Sequence, residues 1–97
     1  MQNEIWLWSA AFTGTVEGLL QGPSADVRAR SDWPERRDRL VGWLREVEAA
    51  RDLYRHGNAQ PLRSLYDHWR NLAGDDIREQ ARIASETHQR FGFSSGD

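Results

Sequence analysis

The chain has 97 residues, of which 38% are hydrophobic and 29% are charged, and its formal net charge is −2. This balance is typical of a folded globular chain, and it argues against a nucleic-acid partner, because phosphate binding needs an excess of positive charge. A chain of this length is expected to form a single domain, over residues 1–97. Cysteine is absent, which excludes disulfides and thiolate chemistry and favours a cytoplasmic location.

Tryptophan is unusually abundant, with five residues of this type in so short a chain. Each Trp buries about 150 to 250 Å² of surface when it is packed. We therefore expect the tryptophans to dominate the core or an interface. The apolar run at residues 5–12 is shorter than the roughly 20 residues that a membrane-spanning helix needs, so no membrane association is expected.

The first predicted helix covers residues 4–20 and ends before Gly22 and Pro23. Trp6 and Leu7 fall outside its main apolar stripe, so its first two turns are apolar nearly all round, which is typical of a helix enclosed from two sides. A short strand at residues 5–8 is the alternative interpretation. The stripe itself recurs at helical spacing and consists of Ile5, Trp8, Phe12, Val16, Leu19 and Leu20.

Small residues at a spacing of four also mark this helix, at Ala10, Gly14 and Gly18. Such spacing lets a second helix approach closely, although each interior Gly costs about 1 kcal/mol of helix stability relative to Ala. A bend at the glycines is the alternative explanation. The sequence thus predicts a protein-binding surface made of Ile5, Trp6, Leu7, Trp8, Gly14 and Gly18.

Residues 23–31 are polar and are predicted to be a linker with one helical turn at residues 25–29. The second predicted helix covers residues 33–56, with Asp32 as its capping residue, Glu35 at the capping-box position and Pro34 in its first turn. Charged residues, including Glu46, are expected on its other sides. Its apolar face is formed by Leu40, Trp43, Leu44, Val47, Ala50 and Tyr54.

Two shorter helices follow, at residues 60–73 and 76–91, separated by Gly74. Asp76 and Glu79 repeat the capping-box spacing, and residues 92–97 are predicted to be a frayed tail. Short connections should fold the second, third and fourth helices into a hairpin against which the first helix packs, giving an all-α bundle. We expect the core of the hairpin to consist of Leu40, Trp43, Val47, Leu65 and Trp69.

The candidates for catalysis are His56, His68 and His88, together with Ser64, which lies four residues before His68. A serine and a histidine on one continuous helix have no evident oxyanion hole, so a solvated polar face is the preferred interpretation. The histidines are scattered and carry no metal-binding motif. We therefore predict no enzymatic activity, no metal and no cofactor.

The two helices around Gly74 resemble a helix-turn-helix in spacing alone. Asp75 and Asp76 would stand at the end of the second helix that faces DNA, where carboxylates repel phosphates. This pattern reinforces the expectation that the partner is not a nucleic acid.

These patterns favour a small regulatory protein that binds and inhibits or occludes another protein, as an inhibitor, antiactivator or adaptor does. A transcription regulator is one candidate partner, and a homodimer is expected. The alternative is a structural or assembly subunit of a phage or bacterial complex, which would use the same apolar helix to join a larger array.

Overall fold

The computed structural model describes residues 3–22 and 25–86, and within them the chain forms helices and no strand. The all-α prediction is confirmed, and the alternative of a strand at residues 5–8 is wrong. The helices are α1 (Asn3–Gln21), α2 (Ala25–Arg28), α3 (Trp33–Arg55), α4 (Gln60–Ala73) and α5 (Ile77–Glu86). The short α2 corresponds to the helical turn predicted at residues 25–29 within the linker.

The four long helices correspond to the four predicted ones, and every described end lies within one residue of its predicted position. The predicted end of the last helix, at residue 91, and the predicted tail, at 92–97, lie outside the described residues. In the part of the chain that the structure describes, no helix has the length and apolar character needed to cross a membrane.

Two glycines with positive φ end the helices of the hairpin. After α3, Gly57 has φ +97° and donates its N–H to the carbonyl of Tyr54, while Asn58 donates to the carbonyl of Leu53. This pair of bonds is the Schellman arrangement, which glycine favours because other residues rarely adopt that backbone conformation. After α4, Gly74 has φ +65° and donates to the carbonyl of Arg70.

The two predicted capping residues behave differently. Asp76 caps α5, since its Oδ1 accepts hydrogen bonds from the backbone N–H groups of Arg78 and Glu79. Asp32 occupies the N-cap position of α3, as predicted, but its side chain does not make the expected capping bond. Its carboxylate instead binds the guanidinium groups of Arg30 and Arg36, which hold the pKa of Asp32 well below its usual range.

The core lies where α1, α3, α4 and α5 meet, and each of these helices contacts the other three. The predicted hairpin core is confirmed, because all five of its residues are buried: Leu40, Trp43, Val47, Leu65 and Trp69. Trp69 is central, with its ring edge-on to Trp43 at 4.9 Å and 5.3 Å from the ring of Phe12 on α1. Aromatic pairs in such arrangements add about 0.5 to 1.5 kcal/mol beyond the area that they bury.

One charged residue departs from the expected pattern on α3. Glu46 was predicted on the polar side of the helix but is buried. It lies three residues after Trp43 and four before Ala50, so helical geometry brings it to the edge of the apolar face.

Candidate protein-binding surface

The inner face of α1 belongs to the core. Ile5 and Trp8 are only 6% and 7% exposed, and Phe12 and Val16 continue the same buried stripe. Leu19, by contrast, was predicted on this stripe and is exposed. Ile5 and Trp8 therefore lie inside the bundle, although the sequence placed them on the protein-binding surface. The sequence indicated that the hairpin would cover α1 from one direction. In the structure α1 contacts α3, α4 and α5, and together these helices cover more of its apolar surface.

A buried amide fixes the position of α1. The indole N–H of Trp8 donates to Oε1 of Gln80 on α5 at 2.8 Å, and Nε2 of Gln80 donates to the carbonyl of Gly74 at 2.6 Å. Gln80 is not among the site residues that the sequence predicted. Its spacing gives a signal, since it lies three residues after Ile77 and four before Ala84, on the apolar face of α5.

Two hydroxyl side chains on α1 are also buried without disrupting the core. Ser9 donates to the carbonyl of Trp6 at 2.7 Å, and Thr13 donates to the carbonyl of Ser9 at 3.0 Å. Bonds of this kind satisfy a hydroxyl within its own helix. The buried side of α1 is therefore wider than its apolar stripe.

The opposite side of α1, here called the outer face, presents the exposed residues Leu7, Ala10, Ala11, Gly14 and Gly18, and the exposed polar residues Glu4, Glu17 and Gln21 lie at its two ends. Leu7 is 64% exposed, the largest exposure among the large hydrophobic side chains that the structure describes. A Cβ built on Gly14 or on Gly18 would meet nothing within 4 Å. These glycines therefore do not serve close helix packing within the described part of this chain.

Trp6 lies between the core and the outer face, where α1 passes the end of α3. Its ring stacks on Tyr54 at 5.3 Å, and the guanidinium carbons of Arg51 and Arg55 lie 4.2 and 5.4 Å from its ring. Trp6, Arg51, Tyr54 and Arg55 are here called the Trp6 corner. The sequence placed Trp6 on the binding surface, but nothing in the sequence indicated which residues of α3 would meet it.

The histidines do not come together. His56 is exposed, and its Nδ1 lies 3.9 Å from a carboxylate oxygen of Asp52. His68 packs against the rings of Trp43 and Trp69, and burial lowers the pKa of its imidazole. His88 lies outside the described residues. Nor do the described His, Asp and Glu residues form a group able to hold a metal ion.

Comparison with known proteins gives no match: no family model, no curated protein and no solved structure is significantly similar to this chain.

Proposed function

We propose that this chain is a regulatory protein without enzymatic activity, which binds another protein and inhibits or occludes it through the outer face of α1. The observation that carries the proposal is the chemistry of that face. No charged residue occurs between Glu4 and Glu17, although 29% of the chain is charged. The outer face of this uncharged stretch is exposed and presents Leu7 beside small residues. Exposed apolar surface of this kind marks binding sites.

The two open glycines support the same proposal. Gly14 and Gly18 stand on an exposed helix face where Ala would fit without a clash, and each costs about 0.5 to 1 kcal/mol of stability relative to Ala. Close approach of a partner helix would explain why small residues stand there. The cytoplasm is the proposed setting, since a chain without Cys needs no oxidising compartment.

The proposal is tested by capture of the partner from the native host with tagged protein. We expect the wild type to recover one protein in stoichiometric amount, and Leu7→Gln to recover it poorly while keeping its helical content by circular dichroism. Sedimentation of the purified protein shows whether a second copy also occupies the face. If the protein sediments as a monomer and the capture recovers no partner, the proposal is contradicted. Assembly of the purified protein into large oligomers would favour the alternative, a structural subunit.

The glycines allow a sharper test of the face. Gly14→Ala combined with Gly18→Ala should raise the free energy of unfolding by about 1 to 2 kcal/mol, because both positions are open and helical. The same variant should weaken partner binding if a helix packs closely on the face. Gly42→Ala on α3 is the matched control, since this helical glycine also has open space around it. It should stabilise the fold and leave binding unchanged.

A further inference from the structure

The Trp6 corner places two cations on one indole. Arg51 and Arg55 are one helical turn apart on α3, and the guanidinium carbons of both lie within 6 Å of the Trp6 ring centroid. That distance is the range in which a cation is attracted to the face of an aromatic ring. The two guanidinium groups are thereby held near each other at the surface, beside the outer face of α1.

Neither guanidinium has an ion pair with any carboxylate that the structure describes, and the same holds for other described arginines such as Arg37 and Arg63. Ion pairs are formed by Arg30, Arg36, Arg70 and Arg82. The Nε atom of Arg51 is enclosed and has no hydrogen-bond partner among the described residues. The arginines of the corner are thus oriented by the ring. The enclosed Nε of Arg51 is out of reach of an outside acceptor, whereas the side chain of Arg55 is exposed.

Among the described residues, the carboxylates on α1 and α3 close to the corner form no ion pair with Arg51 or Arg55. Glu4 on α1 accepts a hydrogen bond from the hydroxyl of Tyr66 on α4. Asp52 lies 3.9 Å from the imidazole of His56. Glu48, also on α3, forms no ion pair within the described residues.

We propose that the Trp6 corner binds an Asp or Glu side chain on an exposed segment of the partner protein, while apolar side chains of that segment pack against Leu7. This inference rests on the function proposed above. Guanidinium groups bind carboxylates through two parallel hydrogen bonds. Arg, Trp and Tyr are also the residue types that contribute most at protein interfaces. The net charge of −2 disfavours a nucleic-acid phosphate backbone as the ligand.

The test uses a displayed library of random dodecapeptides, selected against the immobilised full chain. Wild-type protein should enrich peptides in which Asp or Glu lies near Leu or an aromatic residue. The affinity of a selected peptide should fall about tenfold or more in Arg51→Gln combined with Arg55→Gln. The matched control is Arg63→Gln combined with Arg78→Gln, which removes the same charge from exposed arginines on α4 and α5 and should leave affinity within about twofold.

Loss of the two arginines also removes contacts with Trp6, so circular dichroism must show that the double variant is folded. Arg55→Gln alone is the second variant, because Arg55 is exposed and lies farther from the ring. It should still weaken binding of the acidic peptide if the inference is right.

The outcomes separate this inference from the proposed function. Selected peptides that need Leu7 but not Arg51 or Arg55, or that lack acidic residues, would overturn the inference and leave the outer face as a binding surface. Acidic peptides that need the arginines but tolerate Leu7→Gln would support a carboxylate site at the Trp6 corner, and would contradict both the packing of the peptide on Leu7 and the proposed face. Selection of no peptide would overturn both. Arginine-dependent binding of a DNA oligonucleotide instead of peptides would identify a phosphate site and overturn the inference.

Discussion

Gln80 shows how a single buried polar side chain can join separate parts of the bundle. It is fully buried, accepts a hydrogen bond from Trp8 on α1 and donates one to the carbonyl of Gly74, in the turn between α4 and α5. Both of its partners are polar groups that would lose a hydrogen bond if the amide were removed. The loss is costly for the buried indole N–H of Trp8, because water cannot replace that bond inside a packed core, whereas Gly74 is exposed.

Replacing Gln80 with Leu keeps a side chain of similar size but leaves the indole N–H and the carbonyl without their bonds. We expect the free energy of unfolding in urea to fall by about 1 to 3 kcal/mol. Gln21→Leu, on an exposed position of α1, is the control and should change stability by no more than about 0.5 kcal/mol. A wild-type urea midpoint in Gln80→Leu would show that the buried amide contributes little.

At the residue scale, the sequence predicted core residues better than surface contacts. Leu40 and Val47 follow from helical spacing alone, since a buried helix face repeats every three or four residues. The Trp6 corner does not follow from spacing, because it depends on which turn of α3 passes α1. Contacts between residues more than 40 positions apart are set by the packing of whole helices, which a local pattern does not contain.

At the element scale, Asp32 and Asp76 were both predicted to cap a helix, but their carboxylates make different bonds. Asp76 caps α5, whereas the carboxylate of Asp32 binds the guanidinium groups of Arg30 and Arg36 and makes no capping bond. A guanidinium within reach competes for the oxygen atoms that a capping bond would use. Spacing therefore predicts where a helix begins better than it predicts which bond stabilises that beginning.

Removal of the cap on α5 gives a direct measure of its contribution. Asp76→Ala should lower the free energy of unfolding by about 1 kcal/mol, because two backbone N–H groups at the start of α5 lose their acceptor. Asp76→Asn should retain most of the wild-type stability, since an amide oxygen also caps well. Thermal or urea unfolding followed by circular dichroism measures both. Equal stability of the Ala and Asn variants would contradict the capping role.

At the scale of the whole molecule, the core is shared among four helices. Trp8 from α1, Trp43 from α3 and Trp69 from α4 are all buried in one cluster, and α1 is further joined to α5 through Gln80. No long helix of the described part packs against a single neighbour alone. Detaching any one of them would expose aromatic surface on the others, so partial unfolding is costly.

This shared core predicts that the bundle unfolds in a single cooperative transition. The variant Trp6→Phe combined with Trp33→Phe leaves three tryptophans, all buried, so its fluorescence reports on the core alone. Circular dichroism reports on helix throughout the chain. We expect the two signals to give the same urea midpoint, because α1 cannot leave without exposing the rings that α3 and α4 contribute. A fluorescence midpoint well below the helical one would instead show that α1 separates first, as a detachable arm.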